Sequence, residues 1–146
     1  RVPEKRVLLL QTRAADAREA EALHLPPDAR VHVYEGLSLS DDVPIALFRS
    51  VFPADALPRM LTELERTGSV TAAFASHGID DYIRVRTEIT AKQADAPLAA
   101  QLRLPQGAAV LRTVGVNVAG DGTPLEYGRT WFAGDRVALT LGADET

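Results

Sequence analysis

The chain contains an internal duplication. Ala15–Asp55 aligns with Ala94–Asp135, with one residue inserted at a turn in the second copy. Ala15-Asp16-Ala17 falls on Ala94-Asp95-Ala96, and Leu23, Leu25 and Pro26 fall on Leu102, Leu104 and Pro105. Val31 and Gly36 match Val110 and Gly115; Asp42 and Pro44 match Asp121 and Pro124. Arg49, Phe52 and Asp55 match Arg129, Phe132 and Asp135. A unit written twice must fold twice, so the two copies are expected to be related by an approximate twofold axis.

Each copy opens with a short helix. Asp16 caps the first, with Glu19 at capping-box spacing, and Asp95 takes the same place in the second. Pro97 stands in the first helical turn, where a missing N–H costs little. Leu25-Pro26 and Leu104-Pro105 are expected to end the helices, because proline cannot continue one. Two extended runs rich in Val, Leu and aromatic residues follow. They are split at Ser40-Asp41-Asp42 in copy one and Gly120-Asp121-Gly122 in copy two, the pattern of a β-hairpin. A strand precedes each helix, over Arg6–Thr12 and Tyr82–Thr90, and the apolar run Val137–Leu141 is expected to extend the sheet.

The connector between the copies is helical. Leu57, Met60, Leu61 and Leu64 recur at helical spacing before Gly68, and a second short helix runs from Val70 to His77 between a Ser69 cap and a Gly78 stop. These elements predict an α+β fold: a mostly antiparallel β-sheet with helices packed on one face, and pseudo-twofold symmetry.

At 146 residues the chain suits a single domain, 1–146. It has no cysteine, which excludes disulfides, thiolate metal sites and cysteine nucleophiles. The longest apolar run, Val7 to Leu10, is far short of a bilayer span, so no membrane partner is expected and a cytoplasmic location is the default. The net charge is −4 and the sixteen basic residues are scattered, whereas gripping DNA phosphates needs a concentrated basic face. The chain starts at Arg1 rather than at a methionine, and so reads as a fragment or a processed product.

Several residues are candidates for binding. Ser69 and Thr71 bring hydroxyls to a helix start, where free N–H groups suit an anion; the alternative is plain capping. Strict alternation through Tyr82–Thr90 puts Tyr82, Arg84, Arg86 and Glu88 on one side, unless a bulge intervenes. Arg84 matches a phosphate or phosphonate bidentately, or else belongs to a solvated face with cross-strand ion pairs. Glu126 shares a strand face with Gly128, Thr130 and Phe132. It accepts hydrogen bonds from a ligand amine or hydroxyl, or pairs with Arg129 or Arg84. Trp131 points the other way, into packing or an interface. His24, His32 and His77 lack metal-ligand spacing. No nucleophile–base signature, metal set or phosphate-binding glycine loop is present, so an enzyme is not expected and no cofactor is implied.

Phe52-Pro53-Ala54, Gly68-Ser69-Val70-Thr71 leading to His77-Gly78, Asp81-Tyr82 and Thr87 resemble one family. So do Leu102–Gly107 and Asp121-Gly122-Thr123-Pro124-Leu125-Glu126-Tyr127 leading to Phe132 and Asp135-Arg136. The likeness is to the UTRA effector domain of HutC-subfamily GntR regulators, which shares the chorismate lyase fold; among them the phosphonate-utilisation type is nearest. It covers nearly the whole chain.

The resemblance implies a sensor of a small anionic effector (phosphonate, phosphate or sulfate) that acts as a homodimer. It would touch DNA only through a preceding winged helix-turn-helix, of which this chain contains nothing. The alternatives are a chorismate lyase-like enzyme, a sensor of another metabolite such as a sugar phosphate, and a structural or assembly domain that binds nothing. The resemblance also implies an anion held at Ser69 and Thr71, with an acid and an aromatic at Glu126 and Phe132. Many members have tyrosine at the latter position. Sugar-phosphate sensors carry two arginines and an acid where this chain has Gly36, Ser38 and Phe48. A smaller anion therefore fits better, with Ser38 donating one hydrogen bond.

Overall fold

The computed structural model describes residues 2–142. In chain order the elements are β1 (Pro3–Ala14), α1 (Ala17–Leu23), β2 (Arg30–Ser40), β3 (Val43–Pro53), α2 (Met60–Thr67), α3 (Val70–Ala75), β4 (Tyr82–Gln93), α4 (Ala96–Leu102), β5 (Ala109–Ala119) and β6 (Pro124–Ala133). The six strands form one antiparallel sheet in the order β1-β2-β3-β6-β5-β4. Each repeat supplies one half, strand–helix–hairpin, and the halves join where β3 meets β6. This is the expected α+β fold with its internal symmetry.

Local chemistry accounts for the element ends. Asp16 accepts from the Glu19 N–H at 2.7 Å, and Glu19 accepts from the Asp16 N–H at 2.9 Å, completing the capping box. Burial pushes the Glu19 carboxyl up. Arg13, at 2.7 and 2.8 Å, and the Asp16 N–H outweigh it and hold the group below its usual range. Asp95 caps α4 through the Leu98 N–H. The helix ends differ from expectation. His24 and Arg103, not the prolines, stop α1 and α4 by turning left-handed (φ 55° and 54°). The next N–H, of Leu25 and of Leu104, then closes back on Ala20 and Ala99. In the first hairpin Asp41 and Asp42 both take positive φ, the geometry of a two-residue turn. Val137–Leu141 forms no strand, a second departure.

Helices cover both faces of the sheet rather than one. On one face, α1 packs Leu23 against Val33, Val51 and Tyr127, while α4 packs Ala99 and Leu102 against Leu37, Leu47 and Val110. The neighbouring positions Tyr34 and Phe52 point the opposite way, as strand alternation requires, and meet Met60, Leu64 and Phe74 of α2 and α3. The hydrophobic pattern of α1 and α4 cannot reveal this, because the connector belongs to neither copy. Having no symmetry mate, α2–α3 covers only one end of its face. The rest of that face is left open.

Candidate functional site

The open part of the face forms a cleft of about 360 Å³. Its floor is the central strand pair, with Ser50 and Phe48 from β3 and Gly128, Thr130 and Phe132 from β6. Ser38 lies on the β2 side, Arg84 enters from β4, and Val70 brings the start of α3 to the rim.

Arg84 reaches this cleft because of a bulge. Arg84 pairs with Asn117 and Arg86 with Val116, which leaves Val85 without a partner. Arg84 therefore shares a face with Asn117, while Arg86 turns to the other face and pairs with Glu88 at 3.4 Å. Strict alternation had both arginines on one side; the extra residue reverses the second. Gly115 makes room for the arm. A Cβ there would stand 2.8 Å from the Arg84 Cδ and from one terminal nitrogen. The other terminal nitrogen lies 3.9 Å from where a Gly128 Cβ would be, so the guanidinium extends over β6.

A hydrogen-bonded chain fixes that arm. Ser50 Oγ donates to Glu126 Oε2 at 2.6 Å, Asn117 Nδ2 donates to Glu126 Oε1 at 2.8 Å, and Arg84 Nε donates to Asn117 Oδ1 at 3.1 Å. Only one orientation of the Asn117 amide serves both neighbours. The chain crosses β3, β6, β5 and β4 in order. It satisfies Glu126, which is only 7% exposed, without either arginine suggested by the sequence. Among the described residues, the two terminal nitrogens of Arg84 carry no hydrogen bond.

The remaining candidates sit around this core. Ser38 and Phe132 line the cleft. Ser69, Thr71 and Tyr82 do not line it. Ser69 Oγ accepts the Ala72 N–H at 3.0 Å as the α3 cap, and the Thr71 and Tyr82 hydroxyls are 2.6 Å apart. The Tyr82 ring meets Phe74 edge-on at 4.9 Å. The α3 residue in the cleft wall is Val70. Phe48 occupies the position where the sugar-phosphate pattern has an acid. Its ring fits over Gly36, where a Cβ would come within 2.7 Å, and meets Tyr34 edge-on.

The histidines serve structure. His32 is buried between the Thr12 hydroxyl (2.8 Å) and the Leu57 carbonyl (3.0 Å). His77 bonds the Ala73 carbonyl and the Arg59 N–H. Among the described residues no group of three His, Asp or Glu side chains is placed to hold a metal. Trp131 faces the α4 side, beside Leu98 and Leu104. No helix among the described residues is long and apolar enough to cross a membrane.

Ser50, Asn117 and Lys5 did not stand out in the sequence. The repeat itself held the signal. Ser50 is equivalent to Thr130, Asn117 to Ser38 and, by the same offset, Arg84 to Lys5. All but Asn117 line the cleft, and Asn117 is bonded to two residues that do.

Solved structures share this architecture. A GntR-family transcriptional regulator from Enterococcus faecalis V583 superposes with a TM-score of 0.84 at 26% identity, over 95% of this chain and 99% of that one. PhnF from Mycobacterium smegmatis superposes with a TM-score of 0.84 at 24% identity, over 97% of this chain and 64% of that one, a likeness of fold. An uncharacterised HTH-type transcriptional regulator of Rhizobium meliloti (strain 1021) is 43% identical over 127 residues, 87% of this chain and 52% of the relative. The chain thus spans about half the length of that curated relative. The UTRA domain family matches residues 1–138. The chain belongs to the UTRA family, the effector-binding domain of GntR-family transcription regulators.

Proposed function

We propose that the cleft senses a small anionic effector of the phosphonate, phosphate or sulfate kind. One observation carries the reading. Arg84 is pinned at Nε by Asn117, while its terminal N–H groups stand uncommitted over a glycine floor. A guanidinium held in that way is a ready fork for a tetrahedral oxyanion. Glu126 takes an amine or hydroxyl of the effector through its remaining lone pairs, Ser38 donates a hydrogen bond, and Phe132 contributes an apolar wall. Ser69, Thr71 and Tyr82 act indirectly, by fixing α3 and Val70 against β4. Phe48 fills space that a sugar ring would need, which favours a compact ligand.

This reading extends to the whole regulator as a HutC-subfamily member of the phosphonate-utilisation type, working in the cytoplasm. A winged helix-turn-helix preceding the domain would bind DNA as part of a homodimer, where protein symmetry mirrors operator symmetry. Effector binding would favour one arrangement of the pair, which requires different affinities for two states. A chorismate lyase-like enzyme is the competing class. Among the described residues, however, the cleft holds no histidine beside Ser50 to act as a base.

Calorimetric titration of the domain with phosphate, sulfate, methylphosphonate and glucosamine 6-phosphate tests the proposal. Binding of a small anion, its loss in Arg84→Ala, and no turnover of chorismate are expected. Binding that survives unchanged in Arg84→Ala would rule out this site.

A further inference from the structure

The duplication runs through the cleft itself. Lys5 on β1 pairs with Ser38 as Arg84 on β4 pairs with Asn117, and Ser38 and Asn117 are equivalent positions of the two copies. Lys5 and Arg84 therefore occupy the same place in each unit, at opposite edges of the sheet, and both reach into the one cleft. Their immediate surroundings differ. Arg84 lies over Gly115 and Gly128, whereas the Lys5 ammonium stands 5.8 Å from the centre of the Phe48 ring, over β3. Cation–π attraction of this kind favours an ammonium at that place without engaging a hydrogen-bond acceptor.

The two cations enter the cleft from opposite edges of the sheet. One head rests by β6 and the other over β3. Between them the floor carries Ser50 and Thr130, again an equivalent pair, and the carboxylate of Glu126. The symmetry is broken there, because the Glu126 position is Ala46 in the first copy.

We infer that Lys5 is a second anchor, and that the effector is a short two-headed anion with an oxyanion at each end and a hydrogen-bond donor between. The inference rests on the anion reading above and deepens it. Arg84 takes one head through its fork, Lys5 takes the other as a point charge, and Glu126 faces the donor on the spacer. A single-headed anion fills only half of the site.

Phosphonoacetate and methylphosphonate separate the cases, since they share the phosphonate and differ by one carboxylate. Their affinities are measured by calorimetry on the wild-type domain, on Lys5→Met and on Lys5→Arg. Lys5 is exposed, so neither variant disturbs the core. The wild type is expected to prefer phosphonoacetate about tenfold, the worth of one charge-assisted contact. Lys5→Met should erase the preference and Lys5→Arg should keep it. Equal affinities in the wild type, or a preference that survives in Lys5→Met, would overturn the second anchor while leaving the Arg84 site standing. Failure of both probes to bind would remove the anion reading itself, and this inference with it.

Discussion

Arg49 and Arg129 are equivalent residues of the two repeats, and they face each other across the β3–β6 pair. The pseudo-twofold axis passes between them. Like charges meet there, and each is handled separately. Arg49 is bound to Glu35 at 2.6 Å, while Arg129 lies over the rings of Tyr127 and Trp131 at 5.3 and 5.8 Å. Burial lowers the Arg129 pKa. On the other face of the same strands the axis runs through the cleft. The duplication thus places a symmetric floor where the effector is proposed to sit, and Glu126, found in one copy only, gives that floor its direction.

Two glycines beneath the Arg84 arm should respond oppositely to alanine. A Cβ at Gly115 would stand 2.8 Å from both the Arg84 side chain and the Arg86 carbonyl oxygen, so strand β4 itself must shift. Gly115→Ala is expected to cost about 1–3 kcal/mol, as overpacking does, and to weaken anion binding about tenfold or more by displacing Arg84. At Gly128 the nearest atoms are 3.9 Å away, an ordinary contact, and Gly128→Ala should unfold within about 0.5 kcal/mol of wild type. Urea unfolding with calorimetry on both variants checks this pair.

Glu126 is expected to be both a pin and a ligand contact. Glu126→Ala leaves the Ser50 hydroxyl and the Asn117 amide without their acceptor, at a cost of about 1–3 kcal/mol. Glu126→Gln keeps the volume but loses the charge. The wild type should bind aminomethylphosphonate more tightly than methylphosphonate, and Glu126→Gln should lose that difference. An undiminished difference in the glutamine variant would remove Glu126 from the ligand's partners.

His32 should make the fold sensitive to mild acid. The Leu57 carbonyl can only accept, so Nε2 carries the proton and Nδ1 accepts from Thr12; burial holds the ring's pKa below its ordinary value. The unfolded chain takes up a proton near pH 6.5 while the folded ring resists it. Stability is therefore full above about pH 6.5 and falls as pH drops from there toward the depressed folded value. Thermal unfolding at pH 7.5 and pH 5.5 should show a larger loss in the wild type than in His32→Gln.

Much of the fold was legible in the sequence because the chain states it twice. The Asp16–Glu19 box, the Asp95 cap, the Gly68 stop and both hairpin turns are local signals, and local chemistry decided them. The misread features are those that sequence period cannot carry. The bulge at Val85 reverses Arg86 because a single unpaired residue shifts every side chain beyond it. The second helical layer was missed because the α2–α3 stripe names an apolar partner without naming a face. His24 and Arg103 end their helices left-handed, a conformation in which non-glycine residues give no warning. Glu126 was legible as a site candidate. Its partners were not, since Ser50 and Asn117 reach it only through strand register.

Amide chemical shifts locate the bound anion on the sheet. On titration of the labelled domain with methylphosphonate, the largest shifts are expected at Ser50, Arg84, Gly115, Asn117 and Gly128. The Trp131 indole and the α1 and α4 amides, on the opposite face, should stay still. Shifts centred on Trp131 and α4, or none at saturating ligand, would contradict the cleft site.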